Sequence, residues 1–194
     1  MAALTPNEVT LQVARTFEKL GVGYYLCGSF ASGQHGLYRA SADADFVADL
    51  SPSAGQLFAR ELAAEFDADE EMIQEAVAVR RSFNVMHYET MWKVDVFVLK
   101  GRAYDAEALL RARDALLDPA QPTSHLKVAS AEDTVLAKLA WYRLGHEQSD
   151  RQWADILGVL SLKRSSLSEV YLRRWARELA VSDLLERALS TAEK

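Results

Sequence analysis

Apolar positions recur at helical spacing at the start of the chain. Val9, Val13, Phe17 and Leu20 mark one helix face, and Gly21 ends it. Thr5 can cap this helix, Pro6 suits its first position, and Glu8 can close a capping box. The apolar run Tyr24 to Cys27 then reads as a buried strand, and the small residues from Phe30 to Gly36 suit one or two helical turns. Residues 44–50 alternate and predict a second strand. Ser51-Pro52 opens a helix to about Phe66, and residues 67–79 predict another. Two strands, 82–88 and 92–99, are separated only by Glu89, Thr90 and Met91, which predicts a hairpin. A helix over 104–113 follows. Residues 115–129 contain Pro119 and Pro122 and hold at most short strands such as 126–128.

The pattern changes at Ser130. Ser130-Ala131-Glu132-Asp133 is a second capping box, and from there everything reads as helix: 131–144, 150–160, 166–179 and 182–189. The expected fold class is therefore α/β (α+β): a small mixed sheet flanked by helices over 1–129, then a C-terminal helical bundle over 130–194 packed against it.

Composition narrows this little. The 194 residues suffice for one well-buried domain with an appended part, and 49% hydrophobic with 26% charged is ordinary for a soluble globular protein. A net charge of -6 argues against a generally basic nucleic-acid binder, although Arg and Lys crowd the last third. Cys27 is the single cysteine, so no intramolecular disulfide forms, and a cytoplasmic setting fits. The N-terminus shows no signal-peptide pattern, and no apolar stretch is long enough for a membrane span.

The informative chemistry is acidic. One strand ends in Gly28-Ser29. After residues 30–42, the next begins with Asp43-Ala44-Asp45. Side chains alternate along a strand, so Asp43 and Asp45 point to one side. Close carboxylates repel, so a cation must usually accompany them, and Mg2+ (or Mn2+) is the natural hard-oxygen choice. Asp95 lies between Val94 and Val96, where an aspartate is expensive to bury without a partner. If its strand lies beside the Asp43–Asp45 strand, three carboxylates meet at one sheet edge. Such a set can hold two metal ions about 3.5–4 Å apart for in-line phosphoryl displacement. Asp43 and Asp45 would then hold metal, and Asp95 would orient or deprotonate the attacking hydroxyl. Gly28 permits close backbone approach to a phosphate, Ser29 offers donors at a helix start, and Arg39 and Ser41 can add more. Other readings stay open. Asp43 and Asp45 could cap a turn, and Asp95 could pair with Lys93, which points the same way on its strand.

Gly-Ser, then Asp-x-Asp, then a later Asp flanked by Val resembles the ordered signature of polymerase-β-like nucleotidyltransferases. The stretch from Ser130 through Lys138 and Arg143 to Arg151-Gln152-Trp153-Ala154-Asp155 extends the resemblance to the abortive-infection type. That group includes toxins of bacterial toxin–antitoxin pairs and uncharacterised bacterial proteins. The resemblance implies that Lys138, by neutralising triphosphate charge, and Asp155 complete the active site. The group often carries Arg-Asp-x-x-Asp at the last motif, and Gln152 is a departure from it. The implied activity is metal-dependent transfer of a nucleoside monophosphate from a nucleoside triphosphate to a hydroxyl acceptor, RNA being one candidate, with release of pyrophosphate. The alternatives are a nucleotide- or partner-binding module with little turnover, and a tRNA-modifying toxin held by a cognate antitoxin. His35, His87, His125 and His146 show no metal spacing. The residues name neither acceptor nor base.

Overall fold

The computed structural model describes residues 4–36 and 41–192. In contact terms the chain divides into two compact units. One comprises Met1–Cys27 and Ser41–Val128, the other Gly28–Ala40 and Ala129–Lys194. Residues 28–36, which precede the acidic strand in sequence, thus group with the back helices.

The first unit is built on a seven-stranded mixed sheet among the described residues. Its strands are β1 (Tyr24–Leu26), β2 (Asp43–Ala48), β3 (Phe66–Asp67), β4 (Ser82–His87), β5 (Lys93–Val98), β6 (Arg113–Leu116) and β7 (His125–Val128). They lie in the order β3-β4-β5-β2-β1-β7-β6. The centre mixes directions: β2 runs antiparallel to β1 and parallel to β5. The hairpin expected from residues 82–99 forms β4 and β5, with Ser82 opposite Phe97 and Asn84 opposite Asp95.

Helices α1 (Pro6–Lys19), α3 (Pro52–Leu62), α4 (Glu70–Ala78) and α5 (Ala103–Arg111) complete this unit. The predicted box on α1 is present: Thr5 accepts from the Glu8 amide, and the Glu8 carboxylate accepts from Thr5. Period-2 alternation decides which sheet face is covered. Ala44, Phe46, Ala48, Val94, Val96 and Val98 are all buried on one face. An aromatic cluster seals that face. Phe17 of α1 stacks on Phe58 of α3 at 4.7 Å, and meets Phe46 edge-on at 5.7 Å. Burial of a side chain like Phe17 stabilises by about 1.5–3 kcal/mol. Gly55 lets α3 approach α4: a Cβ there would lie 3.1 Å from a Val77 methyl.

Two elements differ from the sequence-based expectation. The helix expected to reach Phe66 stops at Leu62, because Phe66 and Asp67 pair with β4 as a short edge strand. The helix expected to reach residue 113 stops at Arg111, and residues 113–116 form β6 against β7.

The second unit holds α2 (Gly28–His35), α6 (Ala131–Leu144), α7 (Asp150–Lys163), α8 (Glu169–Glu178) and α9 (Ser182–Ala192), with a 3-10 turn at Arg164–Ser166. Ser130 caps α6 by accepting from the Asp133 amide, and its hydroxyl donates to the Asp133 carboxylate at 2.5 Å. Leu136, Leu139, Ile156, Leu160, Leu172, Trp175 and Leu185 form its buried interior. Trp175 is therefore core, as helical spacing implies, while Arg174 lies over its ring. No helix among the described residues is long and apolar enough to cross a membrane.

Candidate functional site

The face of the sheet opposite the aromatic cluster carries the acidic residues. On β2, Asp43 and Asp45 alternate with buried Ala44 and Phe46, so both project from the less buried side. On β5, Lys93 and Asp95 alternate in the same way with Val94 and Val96. Because β2 and β5 run parallel with Asp43 beside Lys93 and Asp45 beside Asp95, the three aspartates and one lysine share one patch. Asn84 on β4, in register with Asp95, extends the patch. Asn84 escapes a reading along the chain, although hairpin register alone suffices to place it.

The lysine organises the carboxylates. Its Nζ lies 2.6 Å from Asp95 Oδ2 and 3.7 Å from Asp43 Oδ2. The hydrogen bond to Asp95, followed by attraction to Asp95, Asp43 and Asp45, holds the Lys93 ammonium above the usual lysine pKa. Ser41 Oγ donates to Asp43 Oδ1 at 3.1 Å. Backbone structure fixes Asp45 from behind, since its carbonyl accepts from the Cys27 amide at 2.7 Å. Among the described residues, no group of three or more His, Cys, Asp or Glu side chains is gathered closely enough to hold a metal ion. The carboxylates of Asp43 and Asp95 turn instead to Lys93.

The donor chemistry nevertheless suits a hard divalent cation. Every candidate ligand is a carboxylate oxygen, all come from two adjacent strands, and Asp45 and Asp95 are direct neighbours.

The other predicted site residues lie elsewhere in the chain's organisation. Gly28 begins α2 with φ at +60°, a left-handed conformation that glycine adopts without strain. Ser29 is buried on the first turn of α2. Lys138 of α6, which is buried, and part-buried Asp155 of α7 form an ion pair at 2.8 Å. Both belong to the second unit, as do Gly28 and Ser29. Arg39 lies outside the described residues. A second polar cluster nearby on α6 had no sequence signal beyond its cap: the Tyr171 hydroxyl of α8 donates to Asp133 Oδ1 at 2.7 Å. His35, which ends α2, donates through Nε2–H to the Ala129 carbonyl, 2.7 Å away. Burial holds its pKa below the usual histidine value.

A central mixed sheet flanked by helices, with an acidic pair on one strand and a further aspartate on its parallel neighbour, is consistent with a nucleotidyltransferase-like fold. No protein-family model matches the chain, and no curated protein matches it. Solved structures do match. One is an antigenic nucleotidyltransferase-like protein from Paracoccidioides brasiliensis, with a TM-score of 0.60 over 96% of this chain and 91% of that one. The two sequences are 16% identical, so the likeness speaks for the fold alone.

Proposed function

We propose that this chain is a metal-dependent nucleotidyltransferase. It moves a nucleoside monophosphate from a nucleoside triphosphate to a hydroxyl acceptor and releases pyrophosphate. The observation that carries the reading is the register of β2 and β5, which sets Asp45 directly beside Asp95 with Asp43 on the same face.

In this reading Asp43, Asp45 and Asp95 bind Mg2+ or Mn2+. When bound, such an ion neutralises phosphate charge and lowers the pKa of a coordinated hydroxyl. The remaining work falls to the chain. The acceptor oxygen forms a bond to the α-phosphorus, the bond to the bridging oxygen breaks, and pyrophosphate leaves. The acceptor proton passes to the Asp95 carboxylate. Ser41 orients Asp43 through its hydroxyl. Catalysis is then mostly positioning and charge neutralisation.

The test is incubation of the purified protein with each α-labelled triphosphate, Mg2+ or Mn2+, and a cell extract. A macromolecule or metabolite should acquire label, and Asp45→Asn should abolish the transfer. Growth arrest on expression, lost in Asp43→Ala, would narrow the acceptor toward the tRNA of a toxin–antitoxin system. Harmless overproduction would leave the enzyme reading without its toxin version.

One observation favours a second reading. Lys93 already supplies a positive charge to the carboxylates, as in a nucleotide- or partner-binding module with little turnover. Triphosphate binding without pyrophosphate release for any acceptor would select it.

A further inference from the structure

We propose that Lys93 is a resident counter-ion that competes with the divalent cation for the carboxylate face and yields that place when a polyphosphate arrives. This rests on the metal-binding reading above and adds a role to a residue which that reading leaves idle.

Placement is the first argument. Lys93 is two residues before Asp95 on β5 and directly opposite Asp43 on β2, so both strands aim the lysine and the carboxylates at the same patch. Its Nζ reaches both Asp95 and Asp43 while the backbone stays in regular sheet pairing. An ammonium within reach of two carboxylates does the electrostatic work that a dication would do there, and the two cations repel each other if both are present.

Reversibility is the second argument. Lys93 sits at the rim of the sheet face with more than a third of its side chain exposed. Four rotatable bonds let its ammonium swing away without moving β5. A triphosphate brings more negative charge than one aspartate and offers the ammonium a new partner. Metal and nucleotide therefore favour each other's binding, and the coupling is reciprocal. An isolated ion meets a face that already carries a positive charge.

The experiment measures bound Mn2+ on the full chain by electron paramagnetic resonance, without nucleotide and then with each α,β-methylene nucleoside triphosphate. Lys93→Gln removes the charge while keeping a polar chain, and Lys93→Arg keeps the charge. Lys93→Met guards against a folding defect peculiar to the amide. Without nucleotide, the Gln and Met variants should bind Mn2+ at least about tenfold more tightly than wild type, the Arg variant no more tightly. The tightening that a nucleotide analogue produces in wild type should shrink in the Gln and Met variants. If wild type and the uncharged variants bind Mn2+ equally while Asp45→Asn loses it, the counter-ion role is overturned and the metal site stands. If none of the proteins binds Mn2+ with or without nucleotide, the metal site fails and takes this inference with it.

Discussion

Lys93 and Lys138 each hold an aspartate at hydrogen-bonding distance, 2.6 Å and 2.8 Å, in separate units of the chain. Length does not distinguish the pairs; solvent does. The Lys93 and Asp95 side chains are 38% and 20% exposed, those of Lys138 and Asp155 only 9% and 11%. Water screens the first pair and can replace either partner, so its geometry is open to exchange. The second pair is shielded from most of the solvent, and losing one member leaves the other charge poorly screened. A similar ion pair is thus a movable counter-charge on the sheet and a fixed strut in the helical unit.

The largest expected effect follows from that difference. Lys138→Met should destabilise the chain by about 3–5 kcal/mol, because Asp155 loses its lysine in a site with little solvent. Thermal or urea unfolding reads this directly. Adding Asp155→Leu should restore most of the loss, since a well-packed apolar pair avoids the desolvation cost altogether. A Lys138→Met variant as stable as wild type would erase the contrast between the two regions. Next comes chemistry. Asp45→Asn should lower nucleotide transfer by at least about a hundredfold while leaving unfolding nearly unchanged, the signature of a charge kept for function. A comparable fall in stability would make Asp45 a structural residue like Asp155.

The contrast also governs how much was readable from the chain. Local signals located their elements: the Thr5 box and the Ser130 side-chain cap start α1 and α6, and the short connection at 89–91 joins β4 to β5. Period-2 alternation was enough to put Asp43 with Asp45, and Lys93 with Asp95, on one side of each strand. The pairing of Asp45 with Asp95 was not readable, because parallel β2 and β5 meet only through tertiary packing. Edge strands were the weakest signals. β6 (Arg-Asp-Ala-Leu) has no buried residue to mark it, and β3 is only two residues long. Lys138 and Asp155 entered through family resemblance alone. Their sequence separation carries no periodic signal, since they sit on different helices.

A smaller effect belongs to the buried cluster on α6. Tyr171→Phe removes a donor to the Asp133 carboxylate, which also receives the Ser130 hydroxyl. A hydrogen bond to a charged acceptor is worth about 1.5–3 kcal/mol, and the lower end applies here because Ser130 still donates to the other oxygen of the Asp133 carboxylate. A loss below about 0.5 kcal/mol in chemical denaturation would show that the cluster is solvated in practice, and would weaken the division into wet and dry charges.

The smallest effect is the most discriminating. Lys93→Gln should change unfolding free energy by less than about 1 kcal/mol, the usual range for an exposed ion pair. Two opposed terms keep it small. The hydrogen bond to Asp95 is lost, and Asp43, Asp45 and Asp95 repel one another without the ammonium. Against that, a long side chain regains its freedom, and water reaches the carboxylates that it had covered. The sign of the remainder depends on ionic strength, because repulsion among partly exposed charges weakens as salt shortens the Debye length. Lys93→Gln should therefore be relatively less stable at low salt and close to wild type at high salt. Lys138→Met should keep most of its deficit across the same range. If salt rescues both variants equally, burial is not what separates the two lysines, and exchange at the sheet face loses its physical basis.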